Sequence, residues 1–351
     1  MGEITRLNLS WTLLFFGLFL GLFWGRSELL PTAAGGADMP LGSLLNRFSA
    51  TYPIAAKTLA AVLLFLNSIL LLRIVSRNMI LTDRSYMPII VYLLVAAGCG
   101  FGSSALGAIT VSLLAVCSFD QMLGSFRRAV QYGKLFNAAL LAGLAPLVWS
   151  HAVVYAFLLP VSLILFKKGG REWIVAWVGF LLPWAICSYV YWGMGYPFGH
   201  VTGLLAGNLG NLLAGGDFPD VLRHPELPVF WGMCLTTVVL SLISFIRRSD
   251  TIRTRAYKSY IYFLWILLFS AVPFAFPGRS VQDFPMIAGP LAIIIPPYFI
   301  RYRGWIPGLI YFALIGSIVF YNLAPAFLPC PFFPAIRNGT YHTQRPGLAG
   351  N

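Results

Sequence analysis

The chain has 351 residues, of which 58% are hydrophobic and only 10% charged, and its mean hydropathy is +0.79. Soluble domains carry about 25% charged residues, so this composition excludes a water-soluble globular protein. The net charge of +13 does not indicate a nucleic-acid partner, because Lys and Arg fall in short clusters between apolar runs and form no continuous basic face.

Apolar runs continue from near the N-terminus to about residue 325 and predict one all-α domain, residues 1–325, followed by a Pro-rich tail, 326–351. A membrane-spanning helix needs roughly 20 apolar residues. Windows of this kind lie at 9–25, 54–72, 86–100, 104–119, 135–149, 151–166, 173–193, 227–246, 259–276, 284–300 and 305–323. The sequence therefore predicts a polytopic transmembrane helical bundle of about eleven helices. The short pairs at 86–119 and 135–166 leave a tilted hairpin or a re-entrant element open as alternatives.

The basic residues predict the orientation of this bundle, because short translocated loops disfavour Lys and Arg. With the N-terminus in the cytoplasm, 17 of the 24 basic residues fall in cytoplasmic loops and 7 fall on the outer side. A wrong helix count in the middle of the chain would invert this bias downstream. We therefore expect a cytoplasmic N-terminus and a periplasmic C-terminus in a bacterial inner membrane.

Most of the outer side then consists of the loops 26–53 and 196–226 and the tail after the last helix. In the second loop, apolar residues at 201, 204, 205, 209, 212 and 213 have helical spacing. Such a helix could lie in the membrane interface, although its glycines favour close packing against a neighbour. We expect any chemistry to take place on this side.

No acidic residue maps to a predicted membrane midplane, which disfavours an ion-coupled transporter. The outer carboxylates instead allow an enzyme that transfers a sugar from a polyprenyl phosphate. This chemistry needs a carboxylate base beside the acceptor hydroxyl and a cation near the departing phosphate. Asp38 or Glu28 is the candidate base, and Arg279 or Arg223 the candidate phosphate partner, with Asp283 beside Arg279. The alternative is that these are ordinary polar residues of translocated loops.

No cofactor or metal is predicted. The four histidines, His151, His200, His224 and His342, do not pair on one helix face as haem ligands would, and no HExxH or CxxC is present. No nucleotide-binding glycine motif occurs either.

Two segments carry a family resemblance: NMILTDRSYMPIIVYLL, residues 78–94, and KKGGREWIVAWVGFLLPWAICSYVYW, residues 167–192. With them the chain resembles a family of multi-pass membrane proteins from Bacteroidota whose function is unknown, and the likeness covers most of residues 45–325. The resemblance implies an inner-membrane location and supplies no catalytic residues.

A weaker likeness involves the stretch from Ser112 to Trp192 and the segment DFPMIAGPLAIIIPPYF, residues 283–299. Both look like parts of GT-C glycosyltransferases, which use polyprenyl-phosphate sugars. Those enzymes usually carry an acidic pair in the first outer loop, whereas Glu28 and Asp38 stand apart in the corresponding loop of this chain.

The leading hypothesis is therefore an inner-membrane protein of the cell envelope that acts on a lipid-linked sugar at the outer leaflet. Its partners would be the lipid bilayer and a polyprenyl-phosphate-linked substrate. The alternative is a non-catalytic membrane subunit of an envelope or secretion complex, whose loops dock other subunits, and the third is a transporter or lipid flippase.

Overall fold

The computed structural model describes residues 39–81, 85–97, 105–126, 131–214, 226–247, 254–276, 284–302 and 305–327, together with Gly17. Every regular element in these ranges is helical, and they contain no strand. The predicted all-α class is thus confirmed for the described residues.

The described elements are α-helices and two 3₁₀ segments. They are α1 (Pro40–Thr51), α2 (Pro53–Arg77), α3 (Met87–Ala97), α4 (Ala105–Ser125), α5 (Tyr132–Val148), the 3₁₀ segment η1 (Ser150–Phe157), α6 (Leu158–Leu165), α7 (Gly170–Gly193), α8 (His200–Ala214), α9 (Glu226–Ile246), α10 (Thr254–Ala271), the 3₁₀ segment η2 (Val272–Ala275), α11 (Phe284–Ile294), α12 (Pro296–Arg301) and α13 (Trp305–Phe327).

Ten of the eleven predicted windows coincide with these helices to within a few residues. The window at 9–25 lies outside the described residues apart from Gly17. Five helical segments of the described residues are long and apolar enough to cross a membrane: Pro53–Arg77, Leu106–Ser125, Gly170–Gly193, Ala256–Phe274 and Phe284–Arg301. Large apolar side chains also face outward, for example Ile174, Leu181 and Ile186 on α7 and Leu309 on α13. Five long apolar helices and this apolar exterior are features of a membrane protein.

Two short helices, α3 and α11, form the centre of the bundle and pack against each other. Every residue of α11 is buried, as is α3 from Met87 to Ala96. Each has 11 residues, which at 1.5 Å per residue gives about 16 Å, roughly half the thickness of the hydrocarbon core. The helices α2, α4, α9 and α10 surround this inner pair.

The helix that begins with α11 is interrupted at Ile295 and continues as α12. Pro296 and Pro297 supply no backbone N–H. In a regular helix the N–H of Tyr298 would bond the Ile294 carbonyl, but here it bonds the Ile295 carbonyl. The Ile294 carbonyl therefore lacks its helical donor. The Ser241 hydroxyl on α9 donates to this carbonyl instead, and the Tyr260 hydroxyl lies 3.2 Å from the Ser241 Oγ. A neighbouring helix thus satisfies a backbone group that prolines release.

One end of the bundle, the Arg77 end, collects the ends of α2, α4, α6, α9 and α12 and the starts of α5, α7 and α10. Direct contacts establish it: Arg77 binds Asp120 on α4, the Lys168 ammonium lies 3.4 Å from the Ser125 carbonyl oxygen, and Phe166 contacts Tyr262 on α10. Ten of the twelve described Lys and Arg residues belong to this end: Arg73, Arg77, Lys134, Lys167, Lys168, Arg171, Arg247, Arg255, Lys258 and Arg301. Arg47 and Lys57 belong to the opposite end, which we call the Met39 end.

Candidate functional site

The five candidate site residues, Glu28, Asp38, Arg223, Arg279 and Asp283, all lie outside the described residues. The structure therefore neither groups nor separates them. What it does describe is the environment of Met39, the residue bonded directly to Asp38, and of the helices that meet there.

Met39 is fully buried at the start of α1, where it packs with Leu147 from the end of α5 and Val201 from α8. Around these three lie partly buried side chains from four helices: Leu41, Leu144, Trp184, Cys187, Tyr191, Leu204 and Leu205. The buried residues of this group, the Met39 cluster, are separate from those of the main core, and Leu41 packs against both. It holds the residue after Asp38 at the point where α1, α5, α7 and α8 meet.

The chain reaches α8 through a tight turn at the end of α7. The N–H of Tyr196 bonds the Tyr191 carbonyl at 3.1 Å, and the N–H of Gly195 bonds the Trp192 carbonyl at 3.0 Å. This is a Schellman motif, whose αL position is taken by Gly195 with φ +92°. The turn stacks the rings of Tyr196 and His200 with centroids 4.7 Å apart, and Tyr191 lies 5.3 Å from His200. A partly exposed aromatic group thus borders the Met39 cluster.

Six buried side-chain polar atoms of the described residues have no hydrogen-bond partner. Three of them belong to elements around this cluster: Ser150 Oγ on η1, Trp184 Nε1 on α7 and Asn208 Nδ2 on α8. The other three are Asn67 Oδ1, Gln131 Oε1 and Ser270 Oγ. Ser150 follows Leu147 by three residues, and Asn208 continues the helical row of Val201, Leu204 and Leu205. Buried polar atoms are almost always paired in folded proteins, so these three are exceptions.

This region combines hydrogen-bond donors with exposed apolar side chains. An indole N–H, an amide NH₂ and a hydroxyl can donate to sugar hydroxyls or phosphate oxygens. Beside them, α7 exposes Leu181, Leu182 and Ile186, which suit a hydrocarbon chain or bilayer lipid. Sequence reasoning identified the His200 segment as helical but missed Trp184 and Asn208, because nothing in a sequence tells a paired buried donor from an unpaired one.

The described residues thus define an all-helical protein with apolar helices of membrane-spanning length. No family model, no curated protein and no solved structure matches the chain. Neither of the two family resemblances is supported by a match.

Proposed function

We propose that the chain is a bacterial inner-membrane protein of the cell envelope, with eleven spanning segments, a cytoplasmic N-terminus and a periplasmic C-terminus. The distribution of charge supports this orientation, because the Arg77 end holds ten of the twelve described basic residues and cytoplasmic loops are enriched in Lys and Arg. In this proposal the Arg77 end faces the cytoplasm and the Met39 end faces the periplasm.

We further propose that the Met39 end binds a polyprenyl-phosphate-linked sugar and transfers the sugar, in the manner of a GT-C glycosyltransferase. The observation that carries the proposal is the set of unpaired donors on η1, α7 and α8. Both α7 and α8 contribute side chains to the cluster of Met39, the residue that follows Asp38. The exposed apolar face of α7 gives the lipid tail a route from the bilayer.

In the proposed reaction, the carboxylate of Asp38 or Glu28 takes the proton of the acceptor hydroxyl. The acceptor oxygen bonds the anomeric carbon of the sugar, and the bond from that carbon to the phosphate oxygen breaks. The electron pair leaves with the polyprenyl phosphate, whose added negative charge Arg279 or Arg223 pairs, while Asp283 orients Arg279. The Trp184 and Asn208 donors hold the sugar or the phosphate in place.

The test uses the full chain in lipid nanodiscs, with a polyprenyl-phosphate sugar carrying a radiolabel. We expect the protein to retain the polyprenyl lipid, detected by mass spectrometry, and to transfer or hydrolyse the labelled sugar. Asp38→Asn should retain the lipid and lose turnover by at least about a hundredfold, the size of a general-base contribution. If Glu28 is the base, Glu28→Gln shows that loss instead.

Trp184→Phe tests the donor set separately. Because the indole N–H has no partner, its removal should leave thermal stability unchanged or slightly higher while lipid retention falls. Trp177→Phe, on the same helix but 38% exposed, is the matched control and should retain the lipid. Absence of both retained polyprenyl lipid and turnover in the wild-type protein would refute the proposed function.

A further inference from the structure

Three cationic side chains surround the last turn of α4 at the Arg77 end. A Cβ placed on Gly124 would lie 2.8 Å from Arg77 Nη2 and 3.8 Å from Lys134 Nζ, so both cations approach one point above this glycine. The Lys168 ammonium donates to the carbonyl of the next residue, Ser125, at 3.4 Å. We call Arg77, Lys134 and Lys168 the basic cluster.

The ends of two helices position Arg77 and Lys168. Arg77 is the last residue of α2, and α6 ends in a Schellman motif in which Lys168 N–H bonds the Leu163 carbonyl at 2.9 Å. Lys167 takes the αL position of that motif with φ +52°, which is costly for a residue with a side chain. The strained turn aims Lys168 back over α4, where its ammonium also lies 5.5 Å from the centre of the Phe126 ring.

The negative charge of the described residues does not balance the cluster. Asp120 binds Arg77 through both carboxylate oxygens, at 3.1 and 3.2 Å, and is the one ion-pair partner among the described residues. The C-terminus of α4 adds about half a negative charge. Glu172, in the first turn of α7, has its Oε2 3.1 Å from a Cβ placed on Gly169, the neighbour of Lys168, but forms no ion pair within 4 Å among the described residues. Counted over the described residues, the basic cluster thus keeps an excess of about one and a half positive charges.

We propose that the basic cluster binds the phosphate diester of an anionic phospholipid in the leaflet at this end of the bundle. A phosphate diester carries one negative charge, which the excess of about one and a half can neutralise, and the lack of a side chain at Gly124 lets Arg77 and Lys134 approach the same point. Lys134 and Lys168 are both partly exposed, as a lipid-binding cation at a helix end must be. The site is independent of the sugar transfer proposed for the opposite end.

The test measures binding of short-chain phosphatidylglycerol to the full chain in neutral-lipid nanodiscs, by native mass spectrometry. Lys134→Gln with Lys168→Gln should weaken binding by about fivefold per lysine, because each cation near a lipid surface contributes about that factor. Asp120→Asn should strengthen binding, since it removes the carboxylate that competes for Arg77. If the cluster only stabilised the end of α4, Asp120→Asn would not strengthen lipid binding.

Two lysines outside the cluster are the matched controls. Lys258→Gln removes the same charge at the same end, from α10, and Lys57→Gln removes it at the opposite end, from α2. Neither should change binding by more than about the scatter of the assay. A loss with Lys258→Gln equal to that of the double variant would overturn the site in favour of general surface charge. Displacement of the lipid by an equal concentration of inorganic phosphate would overturn the lipid assignment, and unchanged binding in the double variant would overturn both.

Discussion

At the scale of single residues, a polar chain crosses the interior of the bundle. Asn67 in α2 donates its amide N–H to the Tyr92 hydroxyl at 2.9 Å, and that hydroxyl lies 3.3 Å from Ser112 Oγ on α4. All three residues are almost completely buried. Side-chain hydrogen bonds between helices supply association energy where lipid removes the hydrophobic driving force, so this chain helps to fix α2, α3 and α4 together.

Tyr92→Phe should therefore destabilise the protein by about 1 kcal/mol, because it leaves the Asn67 amide buried without an acceptor. The free energy of unfolding, measured by SDS titration in mixed micelles, checks the value. Tyr189→Phe is the control, since Tyr189 is 66% exposed on α7. Equal stabilities of the two variants would mean that the hydrogen bonds of Tyr92 contribute nothing net.

Ser241 holds the interrupted helix by donating to the Ile294 carbonyl. We expect Ser241→Ala to lower the free energy of unfolding by about 1 to 2 kcal/mol, because the carbonyl and the Tyr260 hydroxyl both lose a partner. Ser162→Ala is the matched control. Ser162 is equally buried, but its hydroxyl bonds the Leu159 carbonyl of its own helix. A cost for Ser241→Ala no larger than that of the control would contradict a special role at the break.

At the scale of elements, α5 and α7 cross with their backbones in close contact. A Cβ on Gly143 would overlap the Phe180 carbonyl oxygen, and one on Gly179 would lie 2.8 Å from the Phe136 carbonyl oxygen. Small residues at such crossings let helices in a membrane approach closely. The crossing positions α7, most of whose other faces are exposed and apolar.

Gly143→Ala should cost about 1 to 3 kcal/mol, because the added methyl group forces the two helices apart. The same substitution at Gly232, on α9, meets no atom within 4 Å and should be neutral or slightly stabilising, since Ala favours helix. Thermal unfolding of both variants in the same detergent checks the contrast. A Gly143→Ala variant as stable as Gly232→Ala would show that the crossing can relax at no cost.

Element positions could largely be predicted from the sequence, because long apolar runs leave the backbone few alternatives to helix in a membrane. Contacts could not. We expected the glycines of α8 to pack closely, yet Cβ atoms on Gly203, Gly207 and Gly210 would meet nothing within 4 Å in the described part of the chain. The close contacts lie instead at Gly143 and Gly179, which no periodic pattern distinguishes from other glycines.

The helix α1 was missed within the loop 26–53, although its sequence carries the signal. Pro40 stands at its first turn, and Leu41, Leu44, Leu45 and Phe48 follow at helical spacing. It is too short to span a membrane, so a search for membrane-spanning windows passes over it. For the candidate site, the sequence could identify carboxylates and cations by type, but the unpaired donors beside Met39 depend on packing across three elements.

At the scale of the whole molecule, the described basic residues are concentrated at one end of the bundle. Ten of the twelve described ones lie at the Arg77 end, although they come from six separate stretches of sequence. Packing alone does not require this asymmetry, since a soluble bundle would carry charge at both ends and along its outer faces. In membrane proteins, the enrichment of Lys and Arg in cytoplasmic loops predicts such an asymmetry.

The helix α7 offers the sharpest test of this orientation, because it is one continuous helix with a charged start. Its 24 residues span about 36 Å, more than the roughly 30 Å of the hydrocarbon core. Arg171, in its first turn, and Met194, just after its end, are both exposed.

In a background with the five cysteines replaced by alanine, we expect an impermeant maleimide to label Met194→Cys on intact spheroplasts and Arg171→Cys only after lysis. Labelling of both positions from one side would mean that α7 does not cross, and the reverse pattern would place the basic cluster outside and the Met39 cluster in the cytoplasm. That reversal would contradict sugar transfer from a polyprenyl phosphate at the outer leaflet. The basic cluster would still keep its excess positive charge, because the excess follows from the local contacts of Arg77, Lys134 and Lys168.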